Sequence, residues 1–323
     1  YLPPPMISAE DRFLEALLPQ LGVMPDAVVI PPGDDCAALR WGPDRLLLLT
    51  VDQVIGDRHF RRTGPGTATP EQAGRKLLAR NLSDIAAMGG KPLFALLAVA
   101  LGPPEDTVWL ERFHGGLLEL ARAWQVALIG GDLARAPQDM VSSLTLLGEA
   151  PVNRVLRRAG ARPGDLLFAT GEFGQSEPTG HHLTFTPRLR EGAWLAERQL
   201  ARAMMDVSDG LALDAVRLCR ASHVALRLEL GAIPVRTPHT TLAQALGDGE
   251  DYELIFAVAP GQAAELKAGW PFPETRLTRL GEFQPPTATG NRLADATGQP
   301  IPEPLLKGFD HLQRGALHRA ASR

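Results

Sequence analysis

Carboxylates recur in this sequence at the ends of apolar stretches, usually with glycine beside them. Asp34 and Asp35 follow the apolar residues 27–30 in a Gly-Asp-Asp turn. Two ionised carboxylates on a tight turn repel each other, so the pair is costly unless a cation lies against it. Glycine and aspartate are also ordinary surface-turn residues, and for this turn taken alone a surface turn is the favoured interpretation. The recurrence of the pattern favours a binding site.

Further carboxylates follow apolar stretches or open a predicted helix: Asp52, Asp132, Asp206 and Asp209. Asp84 differs, because it lies inside a predicted helix over residues 70–88, on a face that it shares with Asn81 and Met88. A charge on a largely apolar face should be paired or should coordinate a metal. Arg80, four residues earlier, and a bound cation are equally good partners for it.

Oxygen ligands from several segments indicate a hard cation such as Mg²⁺. The histidines and cysteines lack the spacing of a zinc site. Several Mg²⁺ ions are typical of phosphoryl transfer, in which catalysis rests on positioning and charge neutralisation. The sequence contains neither a P-loop nor a kinase-type glycine loop followed by a lysine strand. The glycine-rich loop at residues 171–174 is predicted to be structural, because Glu172 and Glu177 would repel a phosphate.

Composition excludes several classes of protein. A chain of 323 residues predicts about two domains, and 45% apolar with 22% charged residues is typical of a soluble globular protein. A net charge of −4 predicts no nucleic-acid partner. Cys36 and Cys219 form no disulfide framework, the N-terminus does not resemble a signal peptide, and the longest apolar run, residues 93–101, is too short to cross a bilayer. We therefore expect a cytoplasmic protein without a membrane partner.

Strands and helices alternate along the chain. Apolar runs predict strands at residues 27–30, 46–51, 93–101, 126–129, 141–147, 166–169, 224–230 and 254–258. Ser8 is a predicted helix N-cap, Pro70 begins the helix that Gly89 ends, and a further helix is predicted over residues 103–124. A stretch rich in arginine, glycine and proline at residues 151–164 predicts a linker between two domains, residues 1–150 and 151–323.

Five motifs together resemble the thiamine-monophosphate kinase family. They are Gly33-Asp34-Asp35-Cys36, Asn81-Leu82-Ser83-Asp84-Ile85-Ala86-Ala87-Met88-Gly89, Ile129-Gly130-Gly131-Asp132, Asp206-Val207-Ser208-Asp209-Gly210-Leu211 and Gly249-Glu250-Asp251-Tyr252-Glu253-Leu254. They stand in the family's order and cover nearly the whole chain. The resemblance implies an α+β (mixed α/β) fold with the two-domain architecture of aminoimidazole ribonucleotide synthetase. It also implies a homodimer formed by the N-terminal domains, and ATP-dependent conversion of thiamine phosphate to thiamine diphosphate.

The resemblance also implies roles for individual residues. The implied Mg²⁺ ligands are Asp35 (rather than Asp34), Thr50, Val51, Asp52, Asp84, Asp132, Asp206 and Asp209. The implied ATP contacts are Gly131, Asp132, Arg158 and Ser208, and the implied thiamine phosphate contacts are His59, Glu250 and Phe309. No general base is expected, because the acceptor phosphate oxygen is already ionised near neutral pH. Transfer is therefore expected to be direct, without a phosphoenzyme.

Simpler interpretations stay open for several of these residues. Arg158 could be a linker arginine paired with a surface acid, His59 could be structural, and Phe309 could fill a core position. Two departures from the family pattern are Val51, which lacks a hydroxyl and would need its carbonyl to bind metal, and the segment after Asp132, which lacks the usual threonines. Phe309 is a third, because it cannot donate the hydrogen bond of the family's Tyr or Trp.

The largest departure is a shortened segment between Ser176 and His182, which could alter closure of the site. The alternatives to the kinase are another small-metabolite phosphotransferase or synthetase of the same superfamily, and a non-catalytic nucleotide-binding protein.

Overall fold

The computed structural model describes residues 8–287, 290, 292–302, 305–306, 308–309 and 312. The first half of this part of the chain contains one sheet and three α-helices. Its strands are β1 (Val28–Ile30), β2 (Ala37–Arg40), β3 (Arg45–Ile55), β4 (Lys91–Leu101), β5 (Ala127–Arg135) and β6 (Val141–Pro151). Its helices are α1 (Ala9–Leu17), α2 (Pro70–Ala87) and α3 (Thr107–Ala123).

The first sheet has the strand order β1-β2-β3-β6-β4-β5. Neighbouring strands are antiparallel except β4 and β5, which are parallel and are connected through α3. In β6, side chains alternate between buried and partly exposed positions, as expected when one face of a sheet packs against helices. Thr50 and Asp52 of β3 face α2, and Val51 between them therefore faces away from it.

Helix α2 is the central element of the first half. A capping box between Thr69 and Gln72 and a proline at the first helical position begin the helix. Most of its side chains are buried. Helix α3 packs so closely beside it that a Cβ at Gly74 would lie 1.9 Å from the carbonyl oxygen of Phe113. Helix α2 therefore lies between the sheet and its neighbours, and its polar residues must find partners inside the protein.

The second half contains another sheet, with the order β12-β9-β11-β7-β10-β8. Its strands are β7 (Leu166–Thr170), β8 (Ala203–Asp206), β9 (Ala225–Leu228), β10 (Leu254–Val258), β11 (Leu277–Gln284) and β12 (Leu293–Asp295). Its helices are α4 (His181–Thr184), α5 (Leu189–Arg198), α6 (Leu211–Ala221), α7 (Leu242–Gly247) and α8 (Ala263–Gly269). Every residue of β10 is buried, so both faces of this sheet are covered.

The shortened segment after Ser176 joins the two halves. It forms α4 and then places Phe185 in the hydrophobic core of the first half. The ring of Phe185 stacks on Tyr252 with 4.1 Å between centroids. From α2, Arg75 donates hydrogen bonds to the carbonyl oxygens of Leu183 and Phe185, at 3.3 and 2.7 Å. The segment thus fastens the second half to α2.

The predicted long helices and most strands are present, with shifted ends. The strand predicted at residues 46–51 continues to Ile55, and the helix predicted over residues 103–124 begins at Thr107. Strands β2, β11 and β12 were not predicted. The short strands β2 and β12 offer too few residues for a clear alternation, and Gly281 interrupts the apolar pattern of β11. In the described part of the chain, no helix is long and apolar enough to cross a membrane.

Candidate active site

Three carboxylates from distant parts of the chain meet between the two halves. Asp35 lies in the turn after β1, Asp84 lies on α2, and Asp206 ends β8. Each offers a carboxylate oxygen, and these oxygens all lie within 4.8 Å of one another. The structure therefore brings three of the predicted metal ligands together.

These three carboxylates lie in a poorly solvated place. Asp35 and Asp206 are only 8% and 3% exposed. Burial raises the pKa of Asp206 to about 8, and burial together with the charges of Asp52 and Asp206 raises the pKa of Asp84 well above its usual range. Burial also raises the pKa of Asp35, although the Arg158 guanidinium opposes it. Ionising all three requires additional positive charge at the cluster.

Each carboxylate of the cluster also accepts a hydrogen bond. Arg158 donates to Oδ1 of Asp35 from Nε at 3.0 Å and from Nη2 at 2.6 Å. The Thr50 hydroxyl donates to Asp84 at 2.5 Å, and the Ser83 hydroxyl donates to Asp206 at 2.6 Å. Arg158 is thus paired with a buried carboxylate and not with a surface acid.

One oxygen of the cluster fits a cation especially well. Oδ2 of Asp35 is buried, and within the described residues it has no hydrogen-bond partner. A buried carboxylate oxygen without a donor is unfavourable unless a positive ion lies against it. Because the possible metal ligands are oxygen atoms of Asp and Thr side chains, the site suits Mg²⁺ better than zinc.

The neighbour of Asp35 has a different role. Oδ1 of Asp34 accepts from the backbone N–H of Asp35 at 3.1 Å and from the backbone N–H of Arg158 at 3.0 Å. Asp34 therefore shapes the turn and fixes the entry of the chain into the second half.

Asp52 and Asp209, which are also predicted ligands, lie outside the three-carboxylate cluster and are paired with arginines. Arg80 donates to Asp52 at 3.1 Å, and Arg217 donates to Asp209 at 2.5 Å. The expected alternative partner of Asp84, Arg80, is therefore bonded to Asp52. Strand β3 packs against α2 with Asp52 next to Arg80 and Thr50 next to Asp84. This arrangement explains why Arg80 pairs with Asp52 and not with Asp84.

The Val51 side chain faces away from the cluster, and Gly131 and Asp132 lie three strands away from β3 in the first sheet. Val51 is 65% exposed on the face of β3 away from α2. Gly131 and Asp132 lie on β5, an exposed edge strand, where Asp132 pairs with Ala98 of β4. Gly131 also has a structural reason to be glycine, because a Cβ there would lie 1.9 Å from the carbonyl oxygen of Leu97.

The three predicted thiamine phosphate contacts share one cavity beside the cluster. This cavity has a volume of about 270 Å³. His59, Glu250 and Phe309 line it together with Ser208 and Asp209. The backbone N–H of Phe309 donates to the carbonyl oxygen of Asp209 at 2.8 Å, so the described end of the chain contacts the turn that carries two predicted ligands.

The two polar members of this group are held firmly. Nδ1 of His59 accepts a hydrogen bond from the backbone N–H of Ile55 at 3.0 Å, and this bond fixes the orientation of the ring. Lys76 donates to Glu250 at 2.6 Å. Although burial alone would raise the pKa of Glu250, the charges of Lys76 and Arg80 lower it. Glu250 is therefore an anion at neutral pH and suits a cationic ligand.

Sequence reasoning missed Lys76 and Arg80 as residues of this site. Both are buried on α2, and Arg80 lines the cavity. Their spacing contained a signal, because Lys76, Arg80 and Asp84 recur every four residues and therefore share one side of the helix. Lysine and arginine inside a predicted buried helix need acidic partners, which here come from other elements.

Comparison with known proteins identifies the family of this chain. Residues 33–150 match the family model described as AIR synthase related protein, N-terminal domain, and residues 159–284 match the corresponding C-terminal domain. A thiamine-monophosphate kinase of Rhodopirellula baltica is 36% identical over 321 residues, covering 94% of this chain and 97% of the relative. The chain belongs to the thiamine-monophosphate kinase family. The predicted family and its two-domain α+β fold are thus confirmed.

Other members of the thiamine-monophosphate kinase family are similar to this chain in sequence and in structure. The Escherichia coli (strain K12) enzyme is 34% identical, covering 86% of this chain and 90% of the relative. The structure of AaThiL complexed with AMPPCP and TMP superposes with a TM-score of 0.77 at 25% identity, covering 94% of this chain and 97% of that one.

Proposed function

We propose that this protein transfers the terminal phosphoryl group of ATP to thiamine monophosphate, forming ADP and thiamine diphosphate. The observation that supports this most is the position of the cavity. His59, Glu250 and Phe309 line it, together with Ser208 and Asp209, which follow Asp206 of the carboxylate cluster by two and three residues. A relative of the same fold is complexed with AMPPCP, an analogue of ATP, and TMP.

The carboxylates would hold several Mg²⁺ ions. Asp35, Asp84 and Asp206 form the core of this set, with Thr50 beside Asp84. The remaining proposed ligands are Val51 through its carbonyl, Asp52, Asp132 and Asp209. Bound Mg²⁺ neutralises phosphate charge and orients the phosphates of both substrates.

The nucleotide would be bound by residues from both halves. Arg158 presents a planar fork of donors at Asp35, and such a fork also suits a phosphate. Gly131, Asp132 and Ser208 are the other proposed contacts. The proposed domains are residues 1–150 and 151–323. The first domain would supply most of the metal, nucleotide and dimer contacts. The second domain would complete the nucleotide and acceptor sites.

The acceptor cavity matches the charge of thiamine phosphate. Anionic Glu250 suits the cationic thiazolium ring, and Phe309 offers an aromatic face to the same ligand. His59, whose Nδ1 accepts from the backbone N–H of Ile55, is the proposed contact to the acceptor phosphate. The acceptor oxygen needs no general base, so the transfer is a direct in-line displacement without a phosphoenzyme.

The outer face of the first sheet is the proposed homodimer interface. Its exposed apolar side chains are Val51 (65%), Phe94 (41%), Leu96 (42%) and Ile129 (58%). Neighbouring exposed apolar residues of this kind mark interaction surfaces, and a second copy of the same chain is the usual partner. Asp132 lies at this edge, so pairing would also bring it near the other subunit. We place the protein in the cytoplasm, because Cys36 and Cys219 are both free thiols.

Product analysis tests the activity. The protein is incubated with ATP, Mg²⁺ and thiamine monophosphate, and nucleotides and thiamine compounds are separated by chromatography. We expect ADP and thiamine diphosphate in equal amounts. ATP binding without any phosphorylated product would favour a non-catalytic nucleotide-binding protein. Turnover with another phosphate or amine acceptor, but not with thiamine monophosphate, would favour a sister enzyme of the superfamily.

A further inference from the structure

Lys76 lies in the middle of α2 with no exposed surface. Its ammonium group donates a hydrogen bond to Oε1 of Glu250 at 2.6 Å and another to the backbone carbonyl oxygen of His59. A fully buried lysine is rare in proteins and is tolerated only when its charge has well-placed partners. The partners in this case are two of the three residues assigned to the acceptor.

These partners come from different halves of the molecule and face one cavity. His59 follows β3 in the first half, and Glu250 lies in the turn before β10 in the second half. Residues 76 and 250 are 174 positions apart in the chain. One ammonium group therefore connects both sides of the cavity and limits how far they can separate.

The backbone around Glu250 is fixed as well. Its φ angle of 55° lies in the left-handed region, which a non-glycine residue adopts only when its surroundings hold it there. Its N–H donates to the carbonyl oxygen of Ser208 at 2.7 Å, and its carbonyl oxygen accepts from the Ser176 hydroxyl at 2.6 Å. With the backbone held on both sides, the bond from Lys76 sets the direction of the carboxylate.

We propose that Lys76 is a positioning residue for the acceptor. It holds the Glu250 carboxylate and the His59 backbone at a fixed separation across the cavity, and it does not itself contact the acceptor. This inference rests on the proposed function, since the acceptor is taken to be thiamine monophosphate. Loss of the ammonium group displaces both contacts at once. It therefore weakens acceptor binding while the carboxylate cluster and the nucleotide contacts stay in place.

The test compares Lys76→Met and Lys76→Gln with a matched control, Arg75→Gln. Arg75 is the preceding residue of α2 and also bonds across to the second half, but its partners, the carbonyls of Leu183 and Phe185, do not line the cavity. Steady-state kinetics gives kcat and KM for thiamine monophosphate, and calorimetry gives the Kd of ATP with Mg²⁺. Thermal unfolding of each variant reports the structural cost.

We expect Lys76→Met to raise the KM for thiamine monophosphate by roughly tenfold or more, with kcat changed less than about threefold. The Kd of ATP stays unchanged. Lys76→Gln, which keeps a donor, gives a smaller increase in KM. Arg75→Gln lowers the melting temperature without changing KM.

Three outcomes would overturn the inference. Equal KM values for the Lys76 variants and Arg75→Gln would make Lys76 a tie between the halves only. An equal loss of ATP affinity would show a general disturbance of the site, and failure of both Lys76 variants to fold would make the residue structural. A wild-type protein that does not turn over thiamine monophosphate would instead refute the proposed function, so the two failures are distinguishable.

Discussion

At the scale of single residues, the buried carboxylates decide what the site can bind. Asp84 lies on a helix whose other faces are packed, beside Asp35 and Asp206. Its pKa is raised by burial first and then by neighbouring carboxylates, so like charges destabilise this part of the protein unless a cation is present. A neutral side chain of the same shape at position 84 should therefore reduce activity without reducing stability.

Asp84→Asn should lower kcat by at least about 100-fold, because a proposed metal ligand loses its charge. The melting temperature measured without Mg²⁺ should stay the same or increase, since repulsion within the cluster decreases. Asp34→Asn is the control, because an amide oxygen can still accept the two backbone N–H bonds that shape the turn. Normal turnover of Asp84→Asn would contradict its assignment as a ligand.

Phe309→Ala should raise the KM for thiamine monophosphate by about tenfold and change kcat less, because a face for the acceptor ring is lost. Phe309 is 39% exposed at the cavity, so its truncation should cost little stability. Phe309→Tyr keeps the ring and should keep KM near the wild-type value. If KM is unchanged in Phe309→Ala, the residue does not contact the acceptor.

At the scale of elements, α2 and the short segment containing α4 connect the two halves. Lys76, Arg80 and Asp84 all lie on α2, and the α4 segment bonds to the same helix through Arg75. His181 begins α4, and its Nε2 lies 3.0 Å from the carbonyl oxygen of Asp251. Burial, with a smaller contribution from Arg236, lowers the pKa of His181 to about 4. The joint between the halves should therefore be sensitive to acid.

The contribution of His181 to the free energy of unfolding should fall as the pH drops from about 6.5 to about 4. In that window an unfolded chain protonates His181 and the folded protein does not, so protons favour unfolding. A decrease of the His181 pKa from its ordinary value of 6.5 to about 4 corresponds to about 3 kcal/mol. Urea titrations of wild type and His181→Gln at several pH values measure this contribution as the difference between the two proteins, because the raised pKa of Asp206 acts in the opposite direction in both.

The matched control for the acid effect is His239→Gln. His239 is exposed, so its replacement should leave the dependence of unfolding on pH unchanged. An equal slope in wild type and His181→Gln would mean that other groups cause the acid sensitivity.

At the scale of the whole molecule, the first sheet has one face against α2 and one partly apolar face that the described residues leave exposed. Val51 of β3 and Leu96 of β4, which lie on this outer face, are 65% and 42% exposed. The proposed homodimer would cover them and would bring Asp132 toward the other subunit. The placement of Asp132 away from the three-carboxylate cluster is then consistent with a role in the assembled protein.

Leu96→Glu should convert a dimer into a monomer at micromolar concentration, because Leu96 lies on the outer face of the sheet and a charge there would be buried at the interface. Light scattering coupled to size-exclusion chromatography measures the mass directly. Val23→Glu is the control, since Val23 is 100% exposed in the connection before β1, outside the strands of the sheet, and should leave the dimer intact. A wild-type protein that is monomeric at these concentrations would refute the proposed interface.

The sequence alone determined the family, the approximate elements and the main carboxylates. Apolar periodicity and turn residues act over a few positions, so β4, α2 and the Asp-bearing turns could be located without tertiary contacts. The ordered motifs identified the family, and three of the predicted metal ligands and all three predicted acceptor residues meet in space as groups.

Tertiary structure decided which charges pair. Arg80 could bond to Asp84 one turn away, but the course of β3 places Asp52 against it. Lys76 finds Glu250 174 positions away, and no local pattern specifies such a partner. The physical reason is that helix and strand periods fix only the face on which a side chain lies. The packing of α2 between the two halves determines what that face meets, and a buried charge must then take the partner that packing supplies.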